Sequence, residues 1–228
     1  MSPKPSLRLV VFDCDGTLVD SQHGIVAAAA AAFRAHGLPE PDPAAVRRLV
    51  GLNLDHAILA LLPEAEPDLV WRLVEAYKQA FFALRSQPDH DEPLFPGMSD
   101  LLDALDQPHI LLGVATGKHM RGLRATLDRH GLGHRFVTLQ TPDTCRGKPH
   151  PEMMERALAE TGVGRADAIM IGDTTFDMQM AYNAGVAGVG VAWGYHERAA
   201  LLAAGARHVI DHPLELAEIL MNPQEVMS

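Results

Sequence analysis

The stretch LVVFDCDGTLVDS, residues 9–21, decides how the rest of this chain is read. Its first four residues are a continuous apolar run that stops abruptly at Asp13, the signature of a short strand buried on both faces rather than of an alternating edge strand. If the chain stays extended past Phe12, Asp13 and Asp15 face the same side, because strand side chains alternate with period two. Cys14 then points away, and Gly16 permits the sharp turn that follows. Two carboxylates would thus leave the end of one strand together.

Working outward, similar apolar runs recur at residues 110–115, 136–139, 168–171, 187–191 and 208–210, each followed by a polar or glycine-containing turn. Helical patterns lie between them at 99–106, 119–130, 151–161, 174–184, 197–204 and 214–220. Strands alternating with helices predict an α/β fold, a doubly wound, mostly parallel sheet. The alternation breaks once. Between Val19 and Pro93 there are helical segments at 24–36, 43–50, 54–62 and 67–85, punctuated by Gly37, Pro39, Gly51 and Pro63, and no convincing strand. The expected organisation is a core of residues 1–18 and 93–228 with an inserted all-helical cap of residues 19–92. Residues 87–96, with three prolines, read as the returning linker.

Composition narrows the function classes. The 228 residues are 47% hydrophobic and 21% charged with a formal net charge of -10, as in an ordinary globular protein whose average field repels nucleic acid. Two cysteines, Cys14 and Cys145, have no paired spacing, so a cytosolic protein without disulfides is expected. Residues 1–7 have no apolar core of a signal peptide, and the alanine-rich 26–33 is too short for a membrane span and reads as a packed helix.

Parallel sheets bind ligands beyond the carboxyl ends of their strands. Those ends here carry Asp13 and Asp15 after the first strand, and Thr116, Gly117 and Lys118 after the second. Lys148 lies in the loop after the third, and Asp173 and Asp177 follow the fourth. Paired carboxylates suit two-step phosphoryl transfer, one attacking phosphorus and the other handling the proton of the leaving alcohol. A third acid, Asp173, would need a hard dication to stay ionised beside them, and oxygen-only ligands favour Mg2+ over zinc. Thr116 and Gly117 offer donors to phosphate oxygens and Lys148 a positive charge. His130 and His134 have metal-pair spacing, but Gly131 and Gly133 end the helix there, so solvated turn residues are expected.

The motifs DCDGTLVDS from Asp13's strand, GVATGK ending at Lys118, GKPHPE around Lys148 and IGDTTFDM from Ile171, with VAWGYH and AGARHVID, resemble the ordered motifs of the haloacid dehalogenase superfamily. The likeness is greatest to its phosphoglycolate phosphatase branch with a helical cap. It implies a phosphatase of a small phosphorylated metabolite, with Asp13 as nucleophile, Asp15 as acid and base, and Thr116 and Lys148 as phosphate binders. It further implies metal ligation by Asp13, the Asp15 backbone carbonyl and Asp173, with Asp177 supporting through water or by orienting Lys148. Asp15 speaks against a dehalogenase, a sugar phosphomutase is the alternative, and a non-enzymatic phospho-receiver would lack the cap.

In the cap, Arg47 is a candidate for an anionic group on the substrate, Lys78 is expected to be solvated, and Phe81 and Phe82 are expected in the cap core. Lys118, Arg121 and Arg124 read as a basic helix face. A monomer or homodimer fits the chain.

Overall fold

A computed structural model describes residues 6–87 and 90–221. Part of residues 1–7 and of the linker 87–96 considered above therefore lies outside the described residues, as does the end of the chain after Met221.

Strand β1 (Arg8–Phe12) is central. Around it lie β2 (Ile110–Ala115), β3 (Phe136–Gln140), β4 (Ala168–Gly172), β5 (Ala187–Val191) and β6 (His208–Ile210), all parallel, in the order β3-β2-β1-β4-β5-β6. Leu9, Val10, Val11 and Phe12 are entirely buried because both sheet faces are covered, which is why this strand has no polar alternation. Val10 and Phe12 pack with Leu112, Val114, Ile169 and Ile171 on one face, under α5 (Met98–Ala104), α6 (Met120–Arg129) and α10 (Pro213–Met221). Leu9 and Val11 pack on the other with Met153, Met154 and Met180 of α7 (Glu152–Thr161) and α8 (Thr175–Ala184). Helix α9 (Arg198–Ala203) closes the β5–β6 edge.

Register places the site. Phe12 pairs with Val114 of β2 and Ile171 of β4, so Asp13, Thr116 and Asp173 emerge together beyond the carboxyl ends of the central strands. The Asp13 amide continues the ladder onto the Ile171 carbonyl at 2.8 Å.

The chain between β1 and α5 forms α1 (Gln22–Ala35), α2 (Pro43–Arg48), α3 (Leu54–Leu61) and α4 (Pro67–Arg85). Asp42 caps α2 through the amides of Ala44 and Ala45, with Pro43 at the first turn, where its missing N–H costs nothing. Ala32, Phe33, Ile58 and Leu73 make a small apolar cluster of these helices' own. The entering and returning strands of chain are stitched together beside the sheet, Asp20 N–H to Pro93 O at 2.9 Å and Phe95 N–H to Leu18 O at 3.1 Å.

Two expectations need correction. Phe81 joins the apolar cluster around Ile25 and Val46, but Phe82 is 57% exposed, with the Arg121 guanidinium over its ring. One helical step separates the two phenyl groups by about 100°, so they cannot share a face. His134 is an exposed turn residue as expected, but His130, in the turn that ends α6, is half-buried rather than solvated, with Nε2 2.8 Å from the Glu92 carbonyl.

Leu73 is fully buried in the helical insertion. Leu73→Ala should destabilise the protein by about 2–5 kcal/mol through lost transfer energy and the residual cavity, measured by urea denaturation.

Candidate active site

The site is built from four strand ends. At the first, Gly16 has φ +90°, a left-handed conformation that a side chain resists, and a Cβ there would lie 2.3 Å from Asp173 Oδ2. The chain therefore turns tightly enough for Asp13 and Asp15 both to border the same cavity, as their period-two spacing predicts.

Behind the cavity lies a buried ion-pair cluster. Lys148 Nζ is 2.7 Å from Asp13 Oδ1 and 2.5 Å from Asp177 Oδ1, and none of the three side chains is more than 1% exposed. Asp177 is the third residue of α8; its Oδ2 accepts from the Thr174 amide at 3.0 Å and hydroxyl at 2.6 Å in a capping box. Both its oxygens are thus engaged in aiming Lys148. Asp173 accepts from the Thr17 hydroxyl at 3.0 Å and the Tyr195 amide at 2.9 Å. Asp13, Asp173 and Asp177 each bring an oxygen within 4.8 Å of the others, and Asp13 Oδ2 is buried with no hydrogen-bond partner among the described residues.

Electrostatics follow from burial. Desolvation pushes Asp13 from 3.8 up to about 7; Lys148 opposes the rise, and Asp177 and Asp15 add to it. Asp173 is likewise held well above the carboxylate range by burial and by the charges of Asp13 and Asp177. For Lys148 burial works against the charge, but Asp13 and Asp177 outweigh it and keep the ammonium more firmly protonated than an ordinary lysine. A bound cation would relieve the two strained acids, and the all-oxygen, orphan-containing donor set fits a hard divalent ion.

Asp15 is held differently. Its Oδ1 accepts from the Ser21 hydroxyl at 2.5 Å and pairs with Lys118 Nζ at 2.9 Å. Lys118, read from sequence as part of a surface face, is in fact buried to 8% exposure, its ammonium 5.1 Å from the Phe81 ring centroid. Sequence reasoning also gave no role to Thr17, Ser21 and Tyr195. Thr17 and Ser21 lie inside the DCDGTLVDS motif and Tyr195 inside VAWGYH, but neither motif says which acid each residue holds.

Thr116 and Gly117 border the cavity, and a Cβ on Gly117 would come within 2.7 Å of the Leu52 carbonyl, so the α2–α3 loop rests directly on this turn. The cavity holds about 750 Å³ between that loop, α1, α4 and the strand ends, with a largely apolar wall including Ile25, Phe33, Val50 and Tyr77. Arg47 is half-buried and is not among the lining residues, whereas Lys78 is, paired with Glu75 at 2.9 Å.

The family model described as haloacid dehalogenase-like hydrolase matches residues 10–191. The chain is 39% identical over 207 residues to "Probable phosphatase IndB" of Dickeya dadantii, covering 89% of each protein. It is 32% identical to the N-acetylmuramic acid 6-phosphate phosphatase of Pseudomonas aeruginosa, over 94% of this chain and 95% of the relative. It is 30% identical to the phosphoglycolate phosphatase of Vibrio cholerae, over 95% and 98%. Among solved structures, a hydrolase from Pseudomonas syringae superposes with TM-score 0.84 at 28% identity, over 94% of this chain and 98% of that one.

The raised acids give a signed pH dependence. A carboxyl whose folded pKa exceeds its unfolded value supports folding fully below the unfolded pKa and loses that support as pH rises through the folded one, here from 3.8 towards and past about 7 for Asp13. In protein kept free of divalent cations with EDTA, the Asp13 and Asp173 contributions should therefore lower the melting temperature between pH 6 and pH 8. Asp173→Asn, which removes one raised acid and a like charge beside the other, should flatten that slope in differential scanning calorimetry.

Proposed function

The chain belongs to the haloacid dehalogenase-like hydrolases, and from that premise we propose that it is a phosphatase whose Asp13 takes the phosphoryl group of a small phosphomonoester. The observation that carries this reading is the state of Asp13: one oxygen paired with a fully buried ammonium, the other without a hydrogen-bond partner, at the wall of a cavity that Asp15 also lines.

In the first half-reaction a carboxylate oxygen of Asp13 forms a bond to phosphorus while the ester oxygen leaves with a proton from Asp15. In the second, Asp15 takes a proton from water, the resulting P–O bond replaces that to Asp13, and inorganic phosphate and a free carboxylate are restored. The Thr116 hydroxyl, the Gly117 amide and the Lys148 ammonium hold the charge spread over the transferring group. Lys148 also favours the ionised form of the nucleophile against the effect of burial, and Asp177 aims Lys148. Asp13, the Asp15 carbonyl and Asp173 are the groups that would hold Mg2+, with Asp177 of the same acidic cluster supporting it through water, and the ion when bound would neutralise the acids and draw charge from the phosphoryl oxygens. The helices over the cavity exclude bulk water. The two thiols, both free, suit the reducing cytosol of this reading.

Cavity size bears on the leaving group. A volume of about 750 Å³ is that of a site for a drug-sized ligand, far more than the two carbons of glycolate fill. A leaving alcohol of sugar size or larger fits it better than phosphoglycolate, in keeping with the relative that acts on N-acetylmuramic acid 6-phosphate.

Asp13→Asn should abolish turnover of p-nitrophenyl phosphate, and Asp15→Ala should lower kcat by roughly 100-fold to 10,000-fold with the protein still folded. Unchanged turnover in either variant contradicts the assignment. Removal of Mg2+ with EDTA should stop hydrolysis and its return restore it. In a panel of phosphomonoesters, sugar phosphates should exceed phosphoglycolate in kcat/KM, and glucose 1-phosphate should yield inorganic phosphate rather than an isomer.

A further inference from the structure

A second buried charge cluster lies beside Asp15 and has no part in the scheme above. Glu92, on the segment returning from α4, has a side chain with 0% exposure, and neither carboxylate oxygen has a hydrogen-bond partner among the described residues. Cationic or titratable groups nonetheless surround it: Arg85 at 3.2 Å, His90 at 3.7 Å and Lys118 at 4.0 Å. A buried carboxylate in such a place is costly unless its charge is used.

Its segment is held from α6. The Glu92 carbonyl faces His130 Nε2 at 2.8 Å, and Arg129 donates to the carbonyls of His90 at 3.1 Å and Arg85 at 3.2 Å. Arg85 in turn donates to the Gly122 carbonyl at 3.0 Å and the Thr126 hydroxyl at 2.9 Å. All of these partners belong to α6 or its C-terminal end, so Glu92 is an anion fixed to the core. Lys118 reaches between two such anions, 2.9 Å from Asp15 and 4.0 Å from Glu92, with the Phe81 ring on its flank. Positive and negative groups alternate along Asp15, Lys118, Glu92 and Arg85.

Resting on the phosphatase reading, we propose that Glu92 is a positioning residue for proton transfer by Asp15, acting through Lys118. A lysine on a four-carbon stem has many rotamers, and a single carboxylate does not choose among them. Glu92 supplies the second point that holds the Lys118 ammonium where it orients the Asp15 carboxyl beside Ser21. Without that anchor Lys118 is drawn wholly onto Asp15, and the carboxyl is no longer aimed at the leaving oxygen. Glu92 itself touches no substrate.

Leaving-group chemistry distinguishes this role from simple packing. The quantity kcat/KM covers steps up to the first bond cleavage, where an alkyl alkoxide needs the proton of Asp15 and p-nitrophenolate hardly does. Glu92→Gln should lower kcat/KM for n-butyl phosphate at least about 10-fold and that for p-nitrophenyl phosphate less than about threefold. Lys118→Met should show the same selective loss, and adding Glu92→Gln to it should change the ratio no further, since the two act in series. Thermal melting checks that each variant is folded; if Glu92→Gln does not fold, Glu92→Asp, which keeps the charge but withdraws it from Lys118, decides in its place, the same selective loss supporting the proposal and unchanged kinetics overturning it.

Equal losses for both esters, no loss, or selective losses that multiply in the double variant would overturn the proposal while leaving the phosphatase reading intact. A wild-type protein inert towards both esters would overturn that reading, and this one with it.

Discussion

The ammonium of Lys148, fully buried between Asp13 and Asp177, has to keep its charge where water cannot help it. Moving such a group out of water costs several kcal/mol, a cost offset only when opposite charges stand at contact distance with their own bonds satisfied. Asp177 meets that condition because the first turn of α8 supplies the Thr174 amide and hydroxyl to its second oxygen. Asp13 meets it only in part, since its second oxygen is left over. The cluster is therefore held together while one Asp13 oxygen keeps no hydrogen-bond partner among the described residues, and the environment of Asp13 is set in part by the cap of α8.

Backbone constraints bring these groups together. Register across β2, β1 and β4 sets three loops at one level, and the close approach of Gly16 to Asp173 and of Gly117 to the Leu52 carbonyl leaves no room for side chains there. The helical insertion is consequently in contact with the Thr116–Gly117 turn, and the same loop that shapes the cavity closes over it. Insertion and core share one site because both linkers run side by side at Asp20 and Pro93.

An acidic protein of net charge -10 meets an anionic substrate by placing its cations locally. Lys148 is paired with Asp13 and Lys118 with Asp15, each side chain buried and each neutralised by acids rather than free to attract ligands at a distance. The positive charge of the site is thus short-range, and the field of the whole molecule contributes little to it.

By itself, the sequence determined the alternation of strands and helices, the helical interruption after the first strand, and the loading of strand ends with Asp13, Asp15, Thr116, Lys148 and Asp173. Those features are local: an apolar run ending at an acid declares its strand and its terminus together. Helix ends were less legible, α1 beginning at Gln22 and α5 ending at Ala104, because fraying ends respond to tertiary contacts rather than to periodicity. Only the folded chain decided that Asp177 engages Lys148 directly, one of the two roles the resemblance left open, that Lys118 is buried against Asp15 rather than exposed, that Phe82 faces outward, and that Arg47 stays off the cavity wall. Each of those depends on residues far apart in sequence meeting across the insertion and the core, and the identity or spacing of a charged residue does not reveal which distant neighbour will neutralise it.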